Sequence, residues 1–351
     1  MTHPYTNAPD YRRWRRAVGD VAPAAVDPVV SLPFKIMQAD KIVTAGSCFA
    51  QHIARHLRDN GFSFLVTEPA HPVLPRETAE AFNYGLFTAR YGNVYTSRQL
   101  LQLIRRAYGR FSPADDIWEE DGRFFDPFRP AIQPGGFASR EEYDIDRQQH
   151  FRAVRTAFEE ADYFIFTLGL TECWVSSKDG AAYPVCPGTI AGSFDADRHR
   201  FINLSTAEVV ADMTMAINEL RTVNPKLRII LTVSPVPLAA TAEDRHVLVS
   251  TAYSKAVLRV AAEELVRLPD VFYFPSYEII TGPFSRGAYY ADDLRNIREE
   301  GVEHVMRLFF THATDREVAP APLPSKPSGD FLADMKGVVD AICEEAALDQ
   351  N

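Results

Sequence analysis

The chain has 351 residues, of which 46% are hydrophobic, and a formal net charge of −10 at pH 7. This apolar content is enough for a sizeable core, and the length suits two domains or, as we favour, one large domain with insertions. The acidic balance argues against a nucleic-acid partner, because phosphate binding requires clustered Lys and Arg side chains. The basic segment 12–16 is the local exception, and a solvated arm explains it better than a lipid or polyanion site.

Several other protein classes are also disfavoured. No run approaches the roughly 20 apolar residues of a membrane-spanning helix, and the N-terminus lacks an apolar signal core. We therefore expect a cytoplasmic protein without a membrane span. The four cysteines have no CxxC spacing, which predicts reduced thiols. No P-loop, dinucleotide fingerprint or HExxH motif is present, so no cofactor and no metal are expected.

After an N-terminal arm, predicted to span 1–37, the chain alternates between strand and helix patterns up to residue 318. Short apolar runs closed by Gly, Pro or Ser predict strands at 41–44, 62–67, 163–168, 228–234 and 271–275. Helical patterns lie at 48–60, 97–109, 147–160, 206–223, 244–267 and 298–311. This alternation predicts an α/β fold, a three-layer α/β/α sandwich with a mainly parallel sheet, whose ligand crevice lies beyond the carboxyl ends of the strands.

Irregular segments interrupt or follow this pattern. The turn-rich stretch 110–146 predicts a lid or a substrate-facing insertion. Its aromatic residues, including Trp118, alternate with aspartates, which suits stacking on sugar rings and fits packing onto the sheet equally well. The stretch 183–201 could flank the same crevice. Residues 319–351 predict a Pro-rich extended segment followed by a last helix at 328–347.

The segment that most strongly indicates catalytic chemistry runs from the first predicted strand through Gly46 into the first predicted helix. Ser47 lies at this corner, where a small nucleophile can meet the first free N–H groups of a helix. That geometry suits acyl transfer, although Ser47 could instead simply cap the helix. Cys48 is a competing nucleophile, because a thiol pKa falls at a helix N-terminus.

The sequence at this corner, Gly-Ser-Cys-Phe-Ala, resembles the name-giving motif of the GSCFA family, which looks like a branch of the SGNH hydrolases and acyltransferases. Four later blocks resemble that family in the right order: Thr167-Leu168-Gly169, Thr232 to Val236, Ser254-Lys255 and Phe274 to Glu278. The resemblance covers about residues 38 to 310. It implies an SGNH-like domain over 38–318 with Ser47 as the nucleophile.

The resemblance also implies the donors of an oxyanion hole. In the SGNH pattern these are an N–H beside the nucleophile, here near Cys48, a glycine in a second block and an asparagine in a third. The third block here begins at Gly169 and carries Thr171 where the asparagine is expected. Asn83 resembles a GSCFA position and could supply the missing amide, although an Asx-turn explains it equally well.

The acid and base are the least defined part of the pattern. SGNH enzymes take both from an Asp-x-x-His block. Asp293 matches the aspartate of this block, but Asn296 stands at the histidine position. Asparagine cannot accept a proton at neutral pH. Asp293 could act alone, or with Asp292 as a pair of carboxylates with split pKa values.

Other side chains could provide the base. His304 lies on the last helix of the sheet domain, His52 lies on the nucleophile helix, and His71 and His246 lie in loops that the sequence cannot place. Lys255 resembles a recurrent GSCFA position, and a buried lysine can act as a base or form an ion pair. The acidic partners considered for such a pair are Glu172 and Glu278.

From these patterns we expect a serine esterase or O-acyltransferase that acts on a small acyl ester. An acetyl group on a sugar or glycan is the favoured substrate. The rival hypothesis is a catalytically silent relative that binds a carbohydrate or polar metabolite in the same crevice, and the absent histidine favours it.

Overall fold

The computed structural model describes residues 3–315. Its strands are β1 (Ile42–Gly46), β2 (Trp118–Glu120), β3 (Arg123–Phe125), β4 (Tyr163–Leu168), β5 (Glu172–Ser176), β6 (Ala182–Tyr183), β7 (His199–Asn203), β8 (Arg228–Val233) and β9 (Val271–Tyr273). Its α-helices are α1 (Phe49–Asp59), α2 (Arg76–Ala81), α3 (Ser97–Ala107), α4 (Arg140–Glu160), α5 (Thr206–Val223), α6 (Val247–Leu265), α7 (Ser276–Thr281) and α8 (Glu299–Ala313).

The central sheet contains four parallel strands in the order β1-β4-β8-β9. Ile42 lies opposite Tyr163 and Gly46 lies opposite Thr167, so β1 and β4 are neighbours in register. The two chain segments that leave these strands, at Ser47 and at Gly169, therefore start side by side at the carboxyl edge of the sheet.

The prediction of a strand at 62–67 is wrong. Only a single bridge joins Phe64 to Ile42 at the free edge of β1. The backbone then leaves the sheet, because Thr67 donates its N–H to the carbonyl of Thr88 (2.8 Å) rather than to β1. Local apolar periodicity could not reveal this competing partner.

Helices cover both faces of the sheet, as predicted. Alternate strand residues such as Val43 and Phe166 pack against α3, α4, α5 and α6, whereas Ile42 and Ile165 pack against α1, α7 and α8. Fully burying such a side chain contributes about 1.5–3 kcal/mol. The three-layer α/β/α fold is thereby confirmed. Within residues 3–315, no helix combines the length and apolar character needed to cross a bilayer.

The N-terminal arm packs along α8. The N–H of Ile36 donates to the carbonyl of Ala313 (2.7 Å), and Val26 and Phe34 are buried. Lys35 donates to the carbonyls at the C-terminal end of α8, where a cation is favoured by the helix dipole. The predicted segment 319–351 and its helix at 328–347 lie outside the described residues.

The two irregular stretches contain structure that periodicity did not indicate. The 110–146 insertion holds the antiparallel hairpin of β2 and β3 and the start of α4. Helix α4 begins at Arg140 rather than 147 because the Ser139 side chain accepts the N–H of Glu142 and caps it. A second small antiparallel sheet, ordered β6-β5-β7, follows Gly169.

Candidate active site

The corner between β1 and α1 depends on Gly46. Its φ of +139° is a conformation that residues with a side chain rarely adopt, and a Cβ there would lie 2.4 Å from the carbonyl oxygen of Thr167. Glycine therefore lets β1 stay close to β4 while the chain turns sharply. Ser47 follows, and its carbonyl accepts the N–H of Ala50 (2.8 Å) in the first turn of the helix.

The hydroxyl of Ser47 is buried and has no hydrogen-bond partner within residues 3–315. The side chain is 4% exposed. The N-cap position of α1 belongs to Cys48, and no side-chain bond caps the helix there. A buried hydroxyl without a partner costs about 1–3 kcal/mol, so a ligand or water is expected beside Ser47 Oγ. The capping explanation for Ser47 therefore has no support from its contacts.

Gly169 lies directly against Ser47. A Cβ at Gly169 would be 3.2 Å from the Cβ of Ser47 and 3.0 Å from the carbonyl oxygen of Tyr95. However, the N–H groups of Gly169 and Leu170 both donate to that Tyr95 carbonyl, at 3.1 and 2.9 Å. The N–H of Gly169, a candidate contact for the oxyanion or the substrate, is therefore already engaged.

The segment that carries Tyr95 packs against the carboxyl ends of β1 and β4. The N–H of Val94 donates to the carbonyl of Gly46 (2.8 Å), so this segment touches both β1 and the chain after β4. The capping box of α3, formed by Thr96 and Gln99, holds it in place. The rim around Ser47 is thus built from residues that are far apart in sequence.

Lys255 approaches the same corner from α6. Its side chain is 2% exposed and its Nζ donates to the carbonyl of Gly169 (2.7 Å). The acidic partners considered for it are engaged elsewhere: Glu172 accepts from Thr241 (2.7 Å), and Glu278 pairs with Arg259 (2.6 Å). Lys255 thus bonds to Gly169, which itself lies against Ser47.

Thr171 has a structural environment. Its N–H donates to the hydroxyl of Ser254 (3.1 Å), and its own hydroxyl donates to the side-chain oxygen of Asn203 (2.7 Å). These bonds fix the start of β5 against α6 and β7. The hydroxyl of Thr171 is directed at Asn203, which does not match the role of the asparagine it replaces.

Asp293 and Asn296 are brought together by a tight turn. The carboxylate of Asp293 accepts the N–H groups of Arg295 and Asn296 (2.9 Å each) and the side-chain amide of Asn296 (2.6 Å). Partial burial acts to raise the pKa of Asp293, but these hydrogen bonds outweigh it and lower that pKa. Asp293 is exposed and Asn296 is half-buried, and the amide of Asn296 sits beside the carboxylate as a histidine would.

His304 has a structural role in the described contacts. Its Nδ1 lies 2.7 Å from the hydroxyl of Tyr289 and its Nε2 lies 2.9 Å from the carbonyl of Val26. Burial, with a contribution from Arg307, lowers its pKa to about 4. His304 therefore joins α8 to the N-terminal arm, and its contacts do not support the hypothesis that it is the base.

The other histidines also lack a contact with the nucleophile. Burial and then Arg55 lower the pKa of His52, on α1, to about 4. His246 caps α6 by accepting the N–H of Leu248 (3.1 Å), and His71 accepts the N–H of Val73 (3.3 Å) in an exposed loop. In the part of the chain that the structure describes, no imidazole is hydrogen-bonded to Ser47 Oγ.

Asn83 is used to hold the insertion. Its backbone is left-handed, with φ of 61°, and its side-chain amide donates to the carbonyl of Ala131 (3.2 Å). This amide bond reaches 48 residues along the chain, so it is neither the local bond of an Asx-turn nor a contact with the Ser47 corner. Cys48 is half-buried and follows Ser47 at the helix N-terminus.

Sequence reasoning missed a buried charge cluster beneath the rim. Arg90 and Arg129 both donate to Asp146 (2.7 Å each), while Glu68 accepts the N–H of Arg90 and contacts His150 Nδ1 (2.8 Å each). Burial would raise the pKa of Glu68, but His150 and Arg129 outweigh it and lower that pKa to about 2. Removing one partner from such a buried set typically costs about 3–5 kcal/mol. The single charged residue of the segment 86–95, Arg90, was the available signal.

Comparisons with known proteins agree with the motif. The chain belongs to the GSCFA family, whose model matches residues 41–309. Two solved structures are remotely similar to it. One is a carbohydrate esterase family 3 protein from Talaromyces cellulolyticus (13% identity, 77% of this chain and 94% of that chain covered, TM-score 0.29). The other is an acetyl esterase mutant with an acetate ion (12% identity, 76% and 92% covered, TM-score 0.27). A comparison with curated proteins gives no match.

The described residues also bear on metal binding. Between residues 3 and 315, no group of three or more His, Cys, Asp or Glu side chains is placed to hold a metal ion.

Proposed function

We propose that the protein is an SGNH-like serine esterase or O-acyltransferase that acts on a small acyl ester, favouring an acetyl group on a sugar or glycan. The observation that carries the proposal is the hydroxyl of Ser47, which is buried at a strand-to-helix corner without a partner in residues 3–315. Membership of the GSCFA family supports the same assignment.

In this proposal Ser47 Oγ attacks the ester carbonyl and forms a tetrahedral intermediate whose oxyanion needs preorganised donors. The N–H groups of Ala50 and Gln51 already donate to the carbonyls of Ser47 and Cys48. The helix donors must therefore come from the N–H groups that precede Ala50. In this proposal Lys255, which bonds to the carbonyl of Gly169, supplies positive charge near the corner.

The proton acceptor in this proposal is Asp293, working without a histidine. Its lowered pKa makes it a weak base, and general-base catalysis is most efficient when the pKa lies near the operating pH. We therefore expect slow hydrolysis of small esters.

The test is labelling with a serine-directed fluorophosphonate, followed by peptide mapping. The wild-type protein should carry the label on Ser47, and Ser47→Ala should not be labelled. Ser234→Ala is the matched control, because Ser234 is another buried serine at a strand end, and its hydroxyl is occupied by the N–H of Val236. Equal labelling of Ser47→Ala, or a label on another residue, would refute the assignment.

The rival function is a catalytically silent protein that binds a carbohydrate or polar metabolite in this crevice. The absence of an imidazole bonded to Ser47 Oγ, among the described residues, favours it. So does the pairing of Asp293 with the amide of Asn296. This function predicts no labelling of Ser47 and no turnover of nitrophenyl acetate by either the wild-type protein or Ser47→Ala.

A further inference from the structure

A second concave site lies away from Ser47, between β2 of the insertion and the loop that leads into β7. It is a cavity of about 280 Å³. The lining residues that matter for its chemistry are Asp115, Trp118, Glu119, Glu120, Arg198 and His199. Pockets for drug-sized ligands usually measure about 300–1,000 Å³, so this one suits a ligand of one ring.

The small antiparallel sheet connects this cavity to the Ser47 corner. Strand β5 begins at Glu172, three residues after Gly169, and its last residue, Ser176, pairs with His199. At about 3.3 Å per residue, β5 extends roughly 13 Å between its two ends. A single sugar ring cannot span that distance, so a molecule that occupies both places must be an oligomer.

His199 is the residue in the cavity wall that most needs a ligand. It is 4% exposed, and its Nδ1 accepts the N–H of Asp195 (3.1 Å). The neutral ring therefore carries its proton on Nε2. That donor is buried and has no partner in the part of the chain that the structure describes. Buried donors are nearly always satisfied, so a ligand oxygen or water is required there.

Acceptors and an apolar wall complete the site. The carboxylate of Glu120 accepts the N–H of Gly192 (3.2 Å) and is exposed, and Glu119 precedes it in β2 with its side chain on the opposite face of the strand. Asp115 is paired with Arg198, which neutralises both charges. The ring of Trp118 forms the floor and packs so closely under Gly192 that a Cβ there would lie 2.7 Å from it. The cavity thus offers acceptors, a buried donor and an aromatic wall without excess positive charge.

We propose that this cavity binds one neutral hexopyranose ring of a glycan, with vicinal hydroxyls on the Glu120 carboxylate and a ring substituent accepting from His199. Carboxylates accept two hydroxyl donors at once, and the spare imidazole N–H requires an acceptor, which a polyol supplies. An anionic sugar is disfavoured by the two glutamates. The inference rests on the proposed function for the view that the substrate is a glycan, but the binding itself does not need Ser47.

The experiment is saturation-transfer NMR on the full-length Ser47→Ala protein with the methyl pyranosides of glucose, galactose, mannose and N-acetylglucosamine. Working in this background separates the two proposals, because loss of catalysis cannot alter the result. We expect transfer to at least one glycoside, and about a tenfold weaker Kd in Glu119→Gln/Glu120→Gln, because hydrogen bonds to charged groups are lost.

The matched control is Glu141→Gln, which removes an exposed carboxylate from the first turn of α4, outside the cavity. It should bind like the parent protein. His199→Phe should also weaken binding, and circular dichroism will show whether it folds; the surface variants at 119 and 120 decide the matter if it does not. No transfer to any of the four glycosides, or equal binding by the double variant and the parent, would overturn the proposal.

Discussion

The Nζ of Lys255 donates a hydrogen bond to the carbonyl of Gly169 (2.7 Å). Gly169 in turn lies against the Cβ of Ser47. A fixed positive charge beside a site where negative charge develops is an effective means of transition-state stabilisation. The relationship links α6 to the corner between β1 and α1.

Lys255→Met should slow the labelling of Ser47 by fluorophosphonate about tenfold or more, because the charge that favours the oxyanion is lost. The variant also leaves the Gly169 carbonyl without this donor, which costs about 1–3 kcal/mol of stability. Labelling rates are therefore measured well below the melting temperature of each variant. Lys178→Met, which removes an exposed lysine, is the control. An unchanged labelling rate in Lys255→Met would show that the ammonium group only supports the fold.

Gly169→Ala should impair the reaction of Ser47 because the added methyl group crowds it. The new Cβ would lie 3.2 Å from Ser47 Cβ and 3.0 Å from the Tyr95 carbonyl. Overpacking of this kind costs about 1–3 kcal/mol of stability. Gly19→Ala is a suitable control, since its Cβ would meet no atom closer than 4.0 Å. Labelling kinetics that match the control would mean that the reactive conformation of Ser47 does not require this contact.

Asn296→His should raise ester hydrolysis. The side chain at 296 already touches the carboxylate of Asp293 (2.6 Å), so an imidazole there would have an orienting partner. General-base catalysis supplies about 10²–10⁴-fold, which sets the upper limit of the gain in kcat/KM for nitrophenyl acetate. Asn296→Gln controls for the change in side-chain length. A gain that persists when Ser47→Ala is added would show that the new histidine acts independently of the proposed nucleophile.

Stability should fall on acidification between about pH 6.5 and 4, in part through His304. Burial, with help from Arg307, lowers the pKa of His304 to about 4, from about 6.5 in an unfolded chain. The folded state therefore prefers the neutral ring. Its contribution is complete above about pH 6.5 and is lost as the pH falls towards 4, up to about 3 kcal/mol.

Urea unfolding at several pH values measures this dependence. His304→Gln should be less stable at neutral pH and show a shallower loss on acidification, with part of the remainder contributed by His52, His150 and His199, whose pKa values burial also lowers. Labelling of Ser47 in the folded variant should be unchanged, because His304 contacts Tyr289 and Val26. A selective loss of labelling would return His304 to the list of candidate bases.

Much of the fold was predictable from local patterns. The run 163–168 matches β4 in both bounds, and the helical pattern 206–223 matches α5, because apolar periodicity and a capping box at Ser205 act over a few residues. By contrast, the strand predicted at 62–67 does not form, because the carbonyl of Thr88 accepts the N–H of Thr67 in place of a partner on β1.

The sequence by itself determined the α/β alternation, the GSCFA motif and the position of Ser47 at the turn between a strand and a helix. Only the tertiary structure decided which groups surround that serine. It revealed that the Tyr95 carbonyl occupies the N–H of Gly169 and that His304 is bound to the N-terminal arm. It also revealed that Lys255 reaches Gly169 across 86 residues of chain. Hydrogen bonds between distant segments depend on how layers pack, and no short-range periodicity encodes that packing.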